Sequence, residues 1–282
     1  MTNHPKELRD RVVIITGGGR GIGRAFADVL AEAGCRLLLT ASSSRAELDA
    51  SVAELRARVG ADKANERIAG MLADVRDPAA GEAVAAEAMS RWGRIDALVN
   101  NAGIGMRMVS ETFNTRPIPF WEAPVDKWRH IFETNAEGPW MMARAAAPHM
   151  VRAGAGRIIN ITTSPVTMIR RGYAPYGPSK AALESFTRIW AQDLAGTGVT
   201  CNALMPGGAT ATSFLPEGHK QGADGMSLAP TVMNAALLWL LSDASAAVSG
   251  RKFVGRLWDE ALPPDEAARG AMTALPELPA IL

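Results

Sequence analysis

The sequence predicts an α/β fold, a doubly wound parallel sheet of about seven strands in a single domain. Three observations carry that prediction. Apolar runs of strand length recur along the chain. Segments with apolar residues at helical spacing separate them, as crossover connections between parallel strands require. No linker or internal repeat divides the 282 residues, which are enough to bury a sizeable core.

The elements follow in order. "RVVIIT" (11–16) is the first strand, and "GIGRAFADVLAEAG" (21–34) is a helix stopped by Gly34. "RLLLTA" is the second strand, followed by an amphipathic helix, "SRAELDASVAELRARVG", ending at Gly60. "RIAGML" is the third, and the next helix takes Asp77 as its N-cap with Pro78 in the first turn. "IDALVNNAG" is the fourth, leading to a long helix over 125–152. "GRIINIT" is the fifth, with a helix over 176–195. "VTCNALMPGG" is the sixth, and a helix over 231–241 precedes a last short strand, "KFVGRLW". Residues 1–258 thus form the domain. The tail over 259–282 has four prolines after Leu262 and reads as an extended appendage, a candidate cover for a neighbouring subunit's pocket.

Composition narrows the function. The chain is 48% hydrophobic and 21% charged with a net charge of +1, which gives no bulk attraction to nucleic acid or an anionic membrane surface. No apolar run is long enough to span a bilayer, and "MTNHPKELRD" has no apolar stretch behind its charges, so no secretory signal is expected. Cys35 and Cys201 each open an apolar run and read as buried hydrophobes. His4, His130, His149 and His219 lack ligand spacing, so no metal site is expected. These features fit a reducing cytoplasm. Two long connections stand out: 104–124, with Phe113, Phe120 and Trp121, and 208–228, rich in Gly, Ser and Thr. Loops of that length in a compact domain are more often binding loops or lids than filler.

Chemistry enters at "TGGGRGIG" (16–23), between the first strand and a helix. Glycines there let the backbone approach a pyrophosphate, and the helix N-terminus offers unpaired N–H groups and partial positive charge. Gly17, Gly19, Arg20, Gly21, Ile22 and Gly23 are therefore candidate dinucleotide contacts, and the fold is of the Rossmann type. An acid ending the second strand would bind a ribose 2′-hydroxyl and repel a 2′-phosphate. None occurs from Leu37 through Arg45, whereas Ser42 and Ser43 offer hydrogen bonds and Arg20 or Arg45 a charge. NADP(H) is the expected cofactor, with NAD(H) as the alternative.

"YGPSKAAL" (176–183) puts Tyr176 and Lys180 on one face of a helix. A neighbouring ammonium favours the phenolate, which would lower the tyrosine's pKa and make it a proton donor and acceptor. Pro178 has no N–H to give, so it belongs in the first turn and places Tyr176 at the helix entrance.

Jointly these residues resemble the short-chain dehydrogenase/reductase family. "TGGGRGIG" matches its TGxxxGxG cofactor loop, and Asp74 and Val75 match its adenine-side contact. "NNAG", with Asn101, Ala102 and Gly103, matches its fourth-strand motif, and Asn135 matches the active-site asparagine. "YGPSK" matches the catalytic YxxxK. Pro206 and Gly207, with Thr212 further along, match the loop beside the nicotinamide. The match runs from about residue 10 to 258. It departs in a longer loop before Asn135 and in "GRLWDE" where the family often has a glycine pair.

The resemblance implies hydride transfer at a carbonyl or alcohol carbon, with Tyr176 as general acid/base. Lys180 would hold the nicotinamide ribose and lower the tyrosine's pKa, and Asn135 would position a relay water. Strand five lines up with a family strand whose last residue is the catalytic serine. That alignment favours Thr163, with Ser164 as the alternative, for the hydroxyl that bonds the substrate oxygen. The implied assembly is a tetramer or dimer built on the helices over 125–152 and 176–195. Expected partners are a small carbonyl or alcohol substrate, apolar or ring-containing if the loop aromatics line its pocket. The alternatives are an NAD-dependent alcohol dehydrogenase of the same fold, or a catalytically silent nucleotide sensor, which the intact Tyr176–Lys180 pair disfavours.

Overall fold

A computed structural model of the chain describes residues 6–59, 66–215 and 227–273. Seven strands form one wholly parallel sheet: β1 Val12–Thr16, β2 Arg36–Ala41, β3 Ile68–Leu72, β4 Ala97–Asn100, β5 Gly156–Ile161, β6 Val199–Met205 and β7 Lys252–Val254. Their order is β3-β2-β1-β4-β5-β6-β7. The crossovers between them are α1 Gly21–Glu32, α2 Arg45–Val59, α3 Ala80–Trp92, α4 Val125–Phe132, α5 Gly138–Ala153, α6 Pro165–Met168, α7 Tyr176–Asp193 and α8 Asn234–Leu241. A last helix, α9 Pro264–Ala271, follows β7.

The strand sequences dictate the layering. Successive side chains leave a strand on opposite faces. Val13, Ile15, Leu37 and Leu39 therefore join Phe26, Leu30, Leu48 and Leu237 from α1, α2 and α8 in one core. Val12, Ile14 and Leu38 join Val84, Ala88, Met142 and Met150 from α3 and α5 in the other. Both faces of the sheet are covered by helices, so strands with no polar alternation are required. Cys35 and Cys201 are buried free thiols within them.

Several boundaries depart from expectation. The third helix begins at Ala80, because the Asp77 carboxylate instead accepts the Ala79 N–H (2.9 Å) and caps a separate preceding turn. The long helix over 125–152 is α4 and α5 joined by a π-turn, Glu133–Glu137. "KFVGRLW" is strand only through Val254 and then tightens into a 3₁₀ turn, Gly255–Leu257. The Gly60 stop, His4, His219, residues 216–226 of the long second loop and the last nine positions of the tail lie outside the described residues.

The tail corrects the expectation of an extended segment. Pro264 occupies the first turn of α9, where a missing N–H costs nothing. Ala267, Ala268 and Ala271 are buried, and Ala268 and Ala271 belong to the α1/α2/α8 core. Trp239 donates its indole N–H to Asp265 (2.7 Å), and Thr273 N–H bonds Lys252 C=O beside β7. This stretch packs on its own subunit. Ending the chain at Leu262 should expose Trp239 and Phe253 and cost at least about 2 kcal/mol, read as a fall in the urea midpoint; an unchanged midpoint would contradict the packing.

Candidate active site

At the carboxyl ends of β1 and β4 the chain departs to opposite faces of the sheet, which opens a crevice there. That crevice is part of a cleft of about 1280 Å³. It is lined by every site residue expected from the sequence except Asn135, which is buried, and Arg45, which lies outside it and faces Asp49 (3.7 Å).

The glycine loop forms one end. Gly17 and Gly21 have φ of +64° and +55°, a conformation costly for residues with a Cβ. A Cβ on Gly23 would lie 2.1 Å from the Gly17 carbonyl oxygen, so the loop folds this tightly only with glycine there. Arg20 is the N-cap of α1 and makes no side-chain cap, so the first N–H groups of the helix have no side-chain acceptor. Asn101 fastens this loop to β4. Its amide donates to the carbonyls of Thr16 (2.9 Å) and Gly17 (3.1 Å), while Thr16 Oγ1 accepts the N–H groups of Asn101 and Ala102. Exposed backbone donors beside bare glycines fit a dinucleotide's pyrophosphate.

The rim beyond β2 and β3 is polar. Ser42 and Ser43 line it, and the Arg20 guanidinium stands 69% exposed. Arg20 lies 3.9 Å from the Glu47 carboxylate, an acid just past the stretch that the sequence shows to be free of them. Asp74 is clamped by Arg76, whose hydrogen bonds hold its carboxyl below the usual range. Val75 packs against Gly138, where a Cβ would come within 2.6 Å. At the far side Gly207, with φ +92°, turns the chain after Pro206, and the Thr212 methyl closes over Gly21.

At the centre of the cleft the three hydroxyls in a row have different surroundings. Thr162 is buried and donates to Glu184 (3.1 Å). Ser164 is the N-cap of α6, accepting the Thr167 N–H (3.2 Å) and sharing a bond with its hydroxyl. Thr163 lines the cleft, and of the three it is the one that acts on the Tyr176 phenol, drawing its pKa down. Tyr176 opens α7, as Pro178 required.

Lys180, one turn on, is buried and donates to the Ile161 carbonyl (2.8 Å). Burial pushes its pKa down to about 8. The tyrosine departs from expectation: burial pushes its phenol up to about 12, Thr163 opposes that, and Lys180 is not among the groups shifting it. Desolvation outweighs the ammonium, which is itself turned to the strand carbonyl.

Asn135 sits in the π-turn, a device common at functional sites. Its amide exchanges two bonds with the Ile104 backbone (2.9 Å each) and donates to Ser179 (3.1 Å), which in turn donates to the Tyr176 carbonyl (2.7 Å). Ser179 was not foreseen, although it lies inside "YGPSK". Nor was Phe214, which packs edge-on to Tyr176 (5.6 Å) and against Gly105. The loop that carries it was singled out, but the residue was not. Phe113 packs edge-on to Tyr173 (5.5 Å), so the long loop does wall the cleft, while Phe120 and Trp121 stay exposed.

Comparisons with known proteins agree with this geometry. The family model for short chain dehydrogenase matches residues 11–221. A short-chain type dehydrogenase/reductase of Picea abies is 35% identical over 77% of this chain and 76% of its own. A 3-oxoacyl-[acyl-carrier-protein] reductase of Vibrio cholerae is 34% identical over 71% of this chain and 74% of its own. An NADPH-dependent aldehyde reductase-like protein, chloroplastic, of Arabidopsis thaliana is 31% identical over 73% and 75%. The crystal structure of a dehydrogenase/reductase from Sinorhizobium meliloti 1021 superposes with a TM-score of 0.74 at 29% identity, covering 86% of this chain and 92% of that one. The chain belongs to the short-chain dehydrogenase/reductase family, and is an oxidoreductase of that class.

Lys180 makes stability depend on pH in a definite direction. Its folded pKa of about 8 lies below its ordinary 10.5. Between those values the unfolded chain binds more protons, so this group's contribution favours folding increasingly as pH rises. Relative to Lys180→Met, the wild type should gain on the order of 3 kcal/mol from pH 8 to 10.5. Paired denaturation curves check this; a constant gap across that window would contradict the shift.

Proposed function

We propose that this chain is an NADP(H)-dependent oxidoreductase that moves a hydride between the nicotinamide and a carbonyl or secondary-alcohol carbon, with Tyr176 as the general acid/base. The observation that carries the proposal is a buried phenol, Tyr176, in one cleft with Thr163, with Lys180 one turn on, beside a glycine-built cradle. A nicotinamide dinucleotide bound along that cradle supplies or accepts the hydride. A phenol pushed up to about 12 is protonated at neutral pH, the form that donates to a carbonyl oxygen. Thr163 donates a second hydrogen bond to that oxygen as charge develops on it. Lys180, buried at the cleft floor, holds the ribose. Asn135, its amide held by Ile104 and Ser179, positions the relay water.

NADP(H) is favoured by the serines that follow β2 and by Arg20 opposite them. The NADPH named for the Arabidopsis relative supports the same choice. One observation favours the NAD(H) reading: Glu47 stands at the same rim and would repel a 2′-phosphate. The proposal extends to self-association through α5 and α7, which expose Trp140, Val151 and Ile189, and to a cytoplasmic place of work. Among the described residues no helix is long and apolar enough to cross a membrane.

Tyr176→Phe should abolish turnover while NADPH still binds; retained turnover would sink the mechanism. Thr163→Val should lower kcat about 100-fold, and Ser164→Ala less than about threefold with a loss of about 1 kcal/mol in stability from the missing cap. The reverse order of effects would reassign the hydroxyl. In cofactor titrations Arg20→Ala should raise the Kd for NADPH about fivefold more than for NADH, and Glu47→Gln should shift selectivity the other way. Equal effects on both cofactors would refute the rim assignment.

A further inference from the structure

The half of the cleft beyond Tyr176 has walls and a charge that the hydride-transfer reading does not use. Its walls are apolar: Met106, Phe113, Tyr173 and Phe214 pack around the phenol in one cluster. Its polar fittings are few. Tyr173 donates its hydroxyl to Asn114 (2.8 Å), which fixes the ring. The Arg170 guanidinium lies over that ring, 4.9 Å from its centroid, and donates one N–H to the Tyr173 hydroxyl at 3.3 Å. The Tyr173 and Tyr176 centroids are 6.5 Å apart, so the ring that carries the guanidinium is the phenol's neighbour.

Charge is distributed unevenly along the cleft. Among the described lining residues the carboxylates are Glu47 and Asp74, both at the cofactor end and both facing arginines. Arg107, which also lines the substrate half, is neutralised by Glu111 and spends another N–H on the Ser213 carbonyl, tying the two loops together. Arg170 has no carboxylate partner among the described residues. A guanidinium has five N–H donors, and here one is used within the protein. Stacking on Tyr173 holds the group in place and leaves its hydrogen-bonding edge for a ligand. An uncompensated cation against apolar walls, with no carboxylate lining its side of the cleft among the described residues, selects for negative charge.

We propose that the substrate is an anionic carbonyl compound, or the matching alcohol, whose acidic group is bound by Arg170 about one ring's width from the reacting carbon held at Tyr176. The apolar body between the two lies against Phe113 and Phe214. This rests on the hydride-transfer proposal above and narrows its substrate class.

The test is a matched pair, para-formylbenzoate and its methyl ester, which share an aldehyde and differ in charge. With NADPH the acid should be preferred over the ester by about tenfold or more in kcat/KM. Arg170→Met should bring that preference close to one, and Arg170→Lys should keep part of it. The lysine variant separates a charge effect from lost packing on Tyr173. A second measurement, calorimetric binding of benzoate in the presence of NADP⁺, does not depend on turnover. Equal use of acid and ester overturns the anion grip and leaves the reductase proposal standing. If neither aldehyde is reduced but benzoate binds wild type and not Arg170→Met, the grip stands and the hydride-transfer proposal fails. Absence of both turnover and binding overturns the grip.

Discussion

The site depends on one constraint, the splitting of the chain between β1 and β4. These strands are hydrogen-bonded neighbours, yet the helix after β1 covers one face and those after β4 cover the other. The carboxyl ends therefore face a gap that no helix fills, and backbone groups there need other partners. Thr16 and Asn101 supply them, bonding across the split with side chains from both strands. The glycine loop can then stay open: Gly18 spends its N–H on the Thr40 carbonyl (3.0 Å), while the first N–H groups of α1 have no side-chain cap. Loss of that staple would free the loop from β4 without touching either core.

A second layer of buried amides carries order from the sheet to the phenol. Asn100 donates to Asn160 (2.8 Å), and Asn160 donates to Thr187 on α7 (2.9 Å). Asn135 links the Ile104 backbone to Ser179, also on α7. Buried polar groups are costly unless paired, so such links admit few alternative geometries. They explain how a tyrosine at a helix entrance, where helices fray, is held firmly. Close packing adds to this: a Cβ on Gly177 would lie 2.2 Å from the Met168 carbonyl oxygen, so α6 rests directly on the first turn of α7.

Burial that fixes the tyrosine also sets its acidity. The aromatic wall of Phe113, Tyr173 and Phe214 removes water from the phenol and keeps it protonated. The same wall makes an uncompensated guanidinium at its edge more consequential than one in open solvent, since screening by water is weaker there. The acidity of the Tyr176 phenol and the reach of the Arg170 charge thus share one physical origin.

Much of this was legible in the chain itself. Strand runs, helix periods and the glycine loop are local patterns, set by backbone sterics and by which residues can be buried. They determined the doubly wound sheet and placed Gly17 to Gly23, Asn101, Tyr176 and Lys180 correctly on it. Helix α9 was hidden because four prolines read as extended chain, although Pro264 at a helix start is compatible with helix. What sequence could not decide were choices that turn on long-range partners. Thr162, Thr163 and Ser164 are chemically alike; Glu184, Tyr176 and Thr167 sort them, and two of those three partners come from a helix packed across strand five. The acidity of Tyr176 went the other way, raised by burial with no offset from Lys180, for the same reason. Spacing reveals that two groups share a helix face, but only the tertiary structure sets how much water each one loses.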